Sequence, residues 1–286
     1  MAPTNGISKK IQRRRNMKKL TYFVLVLVLL TSISMFGAWS PIVKEEPEVR
    51  YADAPIVSTA ASTQIYFTSK DVIEGKTAGG APLYNSSEGF SNACGPLTGT
   101  AIVAFYDKYY PNLIPGWDSY YPATGKYRAQ GSSYVSAVLS ELYTLMQTNV
   151  KGDGVSESEF KTGLQTYINN HGYSTSYTSA KSGSTLNYSA CKTAIDSNKV
   201  IALFTKPGVV YSWGETSDHD TWTENNIAGN HIMYAFGYIQ VKYYNSTGLF
   251  RTETFLEVST GRTSPSIGYY KIDSSNLEAA YIVNVG

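Results

Sequence analysis

Cysteine and histidine are the residue types in this chain that could do nucleophilic chemistry together. There are two cysteines, Cys94 and Cys191, and three histidines, His171, His219 and His231. Cys94 lies in the stretch Ser91-Asn-Ala-Cys-Gly-Pro-Leu-Thr-Gly-Thr100, ahead of the apolar run Leu97, Ala101, Ile102, Val103, Ala104 and Phe105. That run reads as a helix. Gly95 permits a sharp turn, and Pro96 suits a first helical position, where a missing N–H costs nothing. A thiol at a helix start faces unpaired backbone N–H groups and the positive end of the macrodipole, both of which favour the nucleophilic thiolate. The plain alternative is a buried, inert cysteine beneath a core helix. Cys191 falls in a helical pattern, Asn187 to Asp196, and reads as a core residue.

A cysteine nucleophile needs a base to take its proton. His171 precedes Gly172 at a helix end and reads as a solvated terminal residue. His219 stands between Asp218 and Asp220 in a polar loop. Those three could offer nitrogen and oxygen to a metal, but neighbouring loop residues tend to point apart, so no metal and no cofactor are expected. His231 follows Gly229-Asn230 and opens the apolar run Ile232 to Val241. At the mouth of a strand it can project into a cleft; the alternative is a hydrogen-bonded core histidine.

The elements that must position these groups are legible in outline. Residues 1–19 are basic and 20–38 apolar, the order of an export signal or an uncleaved N-terminal membrane anchor. Residues 39–62, with Pro41, Pro47, Pro55 and three glutamates, read as a linker or short leader. The folded part is expected over 63–286. A strand is expected at Gln64–Thr68 and a polar loop over 73–92, followed by the Cys94 helix and an aromatic loop over 106–132. Three further helices follow: Tyr134–Met146, one opened by the capping pair Ser156/Glu159 and ended near Gly172, and the Cys191 segment. Strands are then expected at Val200–Phe204, His231–Val241, Phe250–Val258, Ile267–Ile272 and Ala280–Asn284. Helices followed by strands predict an α+β fold. The seven basic residues of 1–43 leave 17 basic against 22 acidic residues in the remainder, a net of −5, which argues against a nucleic-acid partner.

The segments Ala93-Cys-Gly-Pro-Leu-Thr-Gly-Thr and Asn230-His-Ile-Met-Tyr-Ala-Phe-Gly-Tyr238 resemble motifs of papain-like cysteine peptidases, in particular the bacterial C39-like branch. The resemblance spans roughly residues 64–285. It implies a helical subdomain and an antiparallel sheet or half-barrel with the active-site cleft between them. It implies Cys94 as nucleophile, His231 as general base and the Cys94 N–H as an oxyanion donor. The family's oxyanion glutamine falls at Glu88, which cannot donate when ionised; Asn92 or Asn85 would have to substitute. The family's imidazole-orienting Asn or Asp falls nearest Ser259, with Glu257 two residues earlier. Three functions follow as expectations. The first is an exported peptidase, secreted or at the cell surface, monomeric, acting on peptide or protein and touching membrane only through its N-terminal segment. The second is a catalytically impaired module binding peptide or glycan. The third is a Cys–His amidase or acyltransferase.

Overall fold

The computed structural model describes residues 48–57, 64–79, 81–85, 90–116, 120–121, 126–127, 133–215 and 220–286. The expected export segment and most of the expected linker lie outside them, as do Glu88 and His219. Among the described residues no helix is long and apolar enough to cross a membrane.

Among the described residues four helices accompany one large antiparallel sheet, an α+β arrangement: α1 (Cys94–Asp107), α2 (Ser133–Leu145), α3 (Glu157–Asn170) and α4 (Tyr188–Asp196). Before and between the first helices lie β1 (Arg50–Tyr51), β2 (Ile56–Val57), β3 (Gln64–Phe67), β4 (Ser69–Thr77), β5 (Tyr120–Tyr121), β6 (Lys126–Tyr127) and β7 (Val155–Ser156). Between α3 and α4 lie β8 (Thr175–Ser179), β9 (Lys181–Ser182) and β10 (Thr185–Leu186). The C-terminal part supplies β11 (Val200–Thr205), β12 (Gly208–Glu215), β13 (Asp220–Ile227), β14 (His231–Asn245), β15 (Gly248–Ser259), β16 (Ile267–Lys271) and β17 (Leu277–Val285). The sheet order is β2-β13-β12-β16-β15-β14-β11-β17-β8, with β3 also on β13 and β4 also on β14. The long strand β14 is the hub. Its first residues pair with β11, its later ones with β4, and β15 covers its other side.

The strand pattern explains the layering. Successive side chains point to opposite faces. Val200, Ala202 and Phe204 of β11, with Ile232, Tyr234 and Phe236 of β14, pack on the face that carries α1 to α3. Ile201, Leu203, Met233 and Ala235 pack on the other face with Cys191, Ala194 and Ile195 of α4. Because β11 is covered on both faces, it is an unbroken apolar run. Helix α1 is buried along its whole length, as its all-round apolar sequence requires. Cys191 is fully buried. The capping box of α3 forms as its residues predict: Ser156 Oγ accepts from the Glu159 N–H and Glu159 returns the bond to the Ser156 N–H. His171 caps the end of α3, with Nδ1 2.8 Å from Tyr167 O and its ring stacked on Tyr167.

Three expectations are revised. The loop expected from residue 73 begins later, because β4 continues to Thr77; its side chains are mostly exposed, so it carries no alternation and is held by pairing with β14. The β12–β13 hairpin was not expected, its apolar residues being interrupted by Gly, Ser, Thr and Asn. The start of α1 also differs in detail. The turn falls on Asn92, whose φ is +54°, not on Gly95. Gly95 is needed for space: a Cβ there would lie 2.5 Å from Val155 Cγ2.

Candidate functional site

Cys94 is the first residue of α1, and the N–H groups of a first helical turn have no partner within the helix. His231 is the first residue of β14, in register with Thr205 of β11, whose hydroxyl donates to His231 O at 3.2 Å. The two elements are tied directly: Thr98 Oγ1 of α1 donates to Ile232 O at 3.2 Å. The two side chains that sequence reasoning paired therefore lie at the ends of two elements locked to each other.

Behind the imidazole stands a main-chain carbonyl. Nε2 lies 2.8 Å from Thr260 O, so the ring proton sits on Nε2 and the lone pair on Nδ1. Nδ1 is buried and has no partner at hydrogen-bonding geometry. A buried polar atom without a partner is costly. Ser259, expected near the orienting position, is buried opposite Tyr234 in the sheet, and the neighbouring residue's carbonyl holds the ring instead. The Thr260 hydroxyl pins the turn that follows by donating to Pro265 O and accepting from the Arg262 N–H at 3.1 Å. Asn92 is engaged elsewhere: its amide donates to Asn149 Oδ1 at 3.1 Å. Glu257 pairs across the sheet with Gly237, well along β14 from His231, and accepts from the Thr77 hydroxyl.

The space in front of Cys94 and His231 is filled by the chain itself. Cys94 Sγ donates to Ala52 O at 3.2 Å. The Ala52 backbone also lies against the imidazole and supports its basicity. Among the described residues no hydrogen bond joins Sγ directly to the ring; the two groups meet at this one peptide unit. On either side of Ala52 the segment is clamped. Tyr51 and Arg50 form an antiparallel ladder with Val155 and Ser156, and Asn230 Nδ2 donates to Arg50 O at 3.0 Å. Arg262 forms an ion pair with Asp53 at 3.6 Å and donates to Ala54 O at 2.6 Å. Sequence reasoning found none of Tyr51, Asn230, Thr260 or Arg262. The position of Asn230 beside His231 was the one available signal.

Burial dominates the electrostatics. Cys94 is 2% exposed and His231 is 0% exposed. Burial, and then the Asp53 carboxylate, push the thiol up to about 12, against the pull of the Ile232 and Gly95 N–H groups and of Arg262. Burial and the Arg262 charge push the imidazole down to about 4. In this closed arrangement both groups are neutral at pH 7. The thiolate favoured by the helix terminus alone is suppressed by desolvation. No group of three or more His, Cys, Asp or Glu among the described residues is close enough to hold a metal ion.

Set against protein-family models, curated proteins and solved structures, the chain matches none.

Proposed function

We propose that the chain is a papain-like Cys–His hydrolase of peptide bonds, exported by its N-terminal segment. One observation carries this reading: a cysteine at a helix start and a histidine with a free, buried Nδ1 converge on one peptide carbonyl, Ala52 O. With a substrate carbonyl in that place, Nδ1 takes the thiol proton and sulfur attacks the carbonyl carbon. The oxyanion is received by N–H groups at the start of α1. The imidazolium then passes its proton to the leaving amine, and water, deprotonated by the same nitrogen, releases the acid. The Thr260 carbonyl keeps the ring in the tautomer that this sequence of transfers needs.

The experiment is a screen of thiol-dependent peptide hydrolysis by the wild-type protein and by Cys94→Ala. The variant should lose turnover completely; equal, measurable turnover in both would overturn the assignment. Cell-wall peptide amides and acyl donors in the same screen separate the amidase and acyltransferase forms of the same chemistry. A second reading has its own support. The neutral pair and a main-chain carbonyl, in place of any side-chain amide or carboxylate of the described residues, at the imidazole Nε2 favour a module that holds a peptide without cutting it. Under that reading Cys94 stays no more reactive to iodoacetamide than Cys191, even when the site is open.

A further inference from the structure

The segment over the site is bound the way a peptide ligand would be. Its backbone forms a ladder with β7 on the helical side and accepts from Asn230 on the sheet side. Its side chains are read individually. Tyr51 is 1% exposed and meets the Phe204 ring edge-on at 5.1 Å between centroids. Arg50 is paired with Glu159 at 3.0 Å and donates to Gly154 O at 2.8 Å. Gly154 has φ +74°, and a Cβ on it would lie 1.7 Å from Tyr51 O, so the floor beneath the segment tolerates no side chain. Burial raises the tendency of Glu159 to stay protonated, but the Ser156 N–H, Arg50 and Lys151 outweigh it and hold the carboxyl below its ordinary value. Glu159 is thus the anion that pairs with the basic residue of the segment.

We propose that Arg50–Ala54 is a tethered pseudosubstrate: it keeps the site closed, and it displays the ligand the site is built for. That ligand is an extended peptide with a basic residue, then an aromatic residue, then a small residue whose carbonyl meets Cys94. The proposal rests on the hydrolase reading for its substrate and on geometry alone for the closure. The segment is held and not cut because its carbonyl is turned the wrong way. Ala52 O accepts from the Ala54 N–H at 2.8 Å as well as from the thiol. Attack would require that oxygen to leave the sulfur and face the start of α1. The tight turn at Asp53, fastened by Arg262, opposes this. No covalent bond in the segment is made or broken in the closed form, and opening requires that the Arg262 clamp, the Tyr51 pocket, the ladder with β7 and the Arg50 contacts be released.

The test uses the full chain and mass-spectrometric readout of iodoacetamide labelling at Cys94, with buried Cys191 as the internal reference. Arg262→Gln removes the clamp, and Gly154→Ala displaces the segment from its floor. Each should speed Cys94 labelling by about tenfold to a hundredfold, the change expected from losing a charged hydrogen bond, with Cys191 unchanged. Acetyl-Val-Arg-Tyr-Ala-amide, the sequence of residues 49–52, should then slow labelling of the opened variant, and the same peptide with Ser for Tyr should not. Wild-type labelling as fast as that of both variants would overturn the closure, and equal protection by the two peptides would overturn the ligand assignment. If one variant also exposes Cys191, the other decides. Opened variants that label quickly but hydrolyse no peptide would overturn the hydrolase reading and leave the pseudosubstrate standing.

Discussion

At the scale of the residue, the candidate site is organised by main-chain groups more than by side chains. The imidazole is oriented by the carbonyl of Thr260 and faces the carbonyl of Ala52, while the thiol is met by N–H groups of Gly95 and Ile232. This division predicts an asymmetry between two adjacent residues. Ser259→Ala should change Cys94-dependent turnover by less than about a factor of three, because the ring does not depend on that hydroxyl. Thr260→Val should lower turnover by about tenfold, because it removes the Oγ1 bonds to Pro265 O, Ser266 O and the Arg262 N–H that hold this turn and hence the carbonyl behind the ring. Thr260 acts as a positioning residue. Its loss should therefore shift the pH–rate profile, and Thr260→Ser should restore it. The reverse ranking of Ser259 and Thr260 would place the orienting group on the side chain after all.

At the scale of the element, the N-terminus of α1 is wedged between β14 and the short strand β7. Gly95 makes the fit possible, since its Cβ position is already filled by Val155 Cγ2. Gly95→Ala should push β7 away from Cys94, destabilise the protein by roughly 1–3 kcal/mol through overpacking, and loosen the segment paired to β7. A thermal melt and the Cys94 labelling rate would read both effects together. The local rules that made the sequence legible are visible at this scale. The four helices announced themselves through apolar spacing and through the Ser156/Glu159 capping pair, because both signals are carried within one turn or two. Strands β11, β14, β15, β16 and β17 were legible because their burial imposes an apolar run or alternation. Strand β4 left no such trace because it is held by ladder bonds to β14, distant in sequence, and a backbone bond selects no side chain; the β12–β13 hairpin pairs residues close in sequence, but its apolar residues are interrupted by Gly, Ser, Thr and Asn. For the same reason Cys94 and His231 could be found from their local context, whereas Arg262 and Tyr51 could not. Their roles arise only where residues 50–54 cross the site.

At the scale of the whole molecule, Val49–Gly286 forms one compact unit, and residues Arg50–Tyr51 and Ile56–Val57 of the stretch expected as linker pair within it as strands. Closing the site buries two titratable groups in their neutral forms, and this ties stability to pH in a definite sense. His231 is held at about 4, below its ordinary 6.5. As pH falls from 6.5 toward 4 the unfolded chain takes up a proton that the folded chain refuses, so stability present above 6.5 is lost through that interval. Cys94 is raised to about 12 from an ordinary 9. The stability it contributes is present below 9 and is lost as pH rises toward 12. The closed form should therefore be most stable between about pH 6.5 and 9. Protonation of the Glu159 carboxylate in acid also weakens its pair with Arg50, so the contribution of the imidazole must be taken as a difference. Urea unfolding of the wild-type protein and of His231→Gln, repeated from pH 7.5 down to 4, isolates it. The wild type should lose up to about 3 kcal/mol more than the variant over that range. Equal acid limbs for the two proteins would mean that the imidazole can take up a proton without the site opening, and that the segment over Cys94 does not seal it.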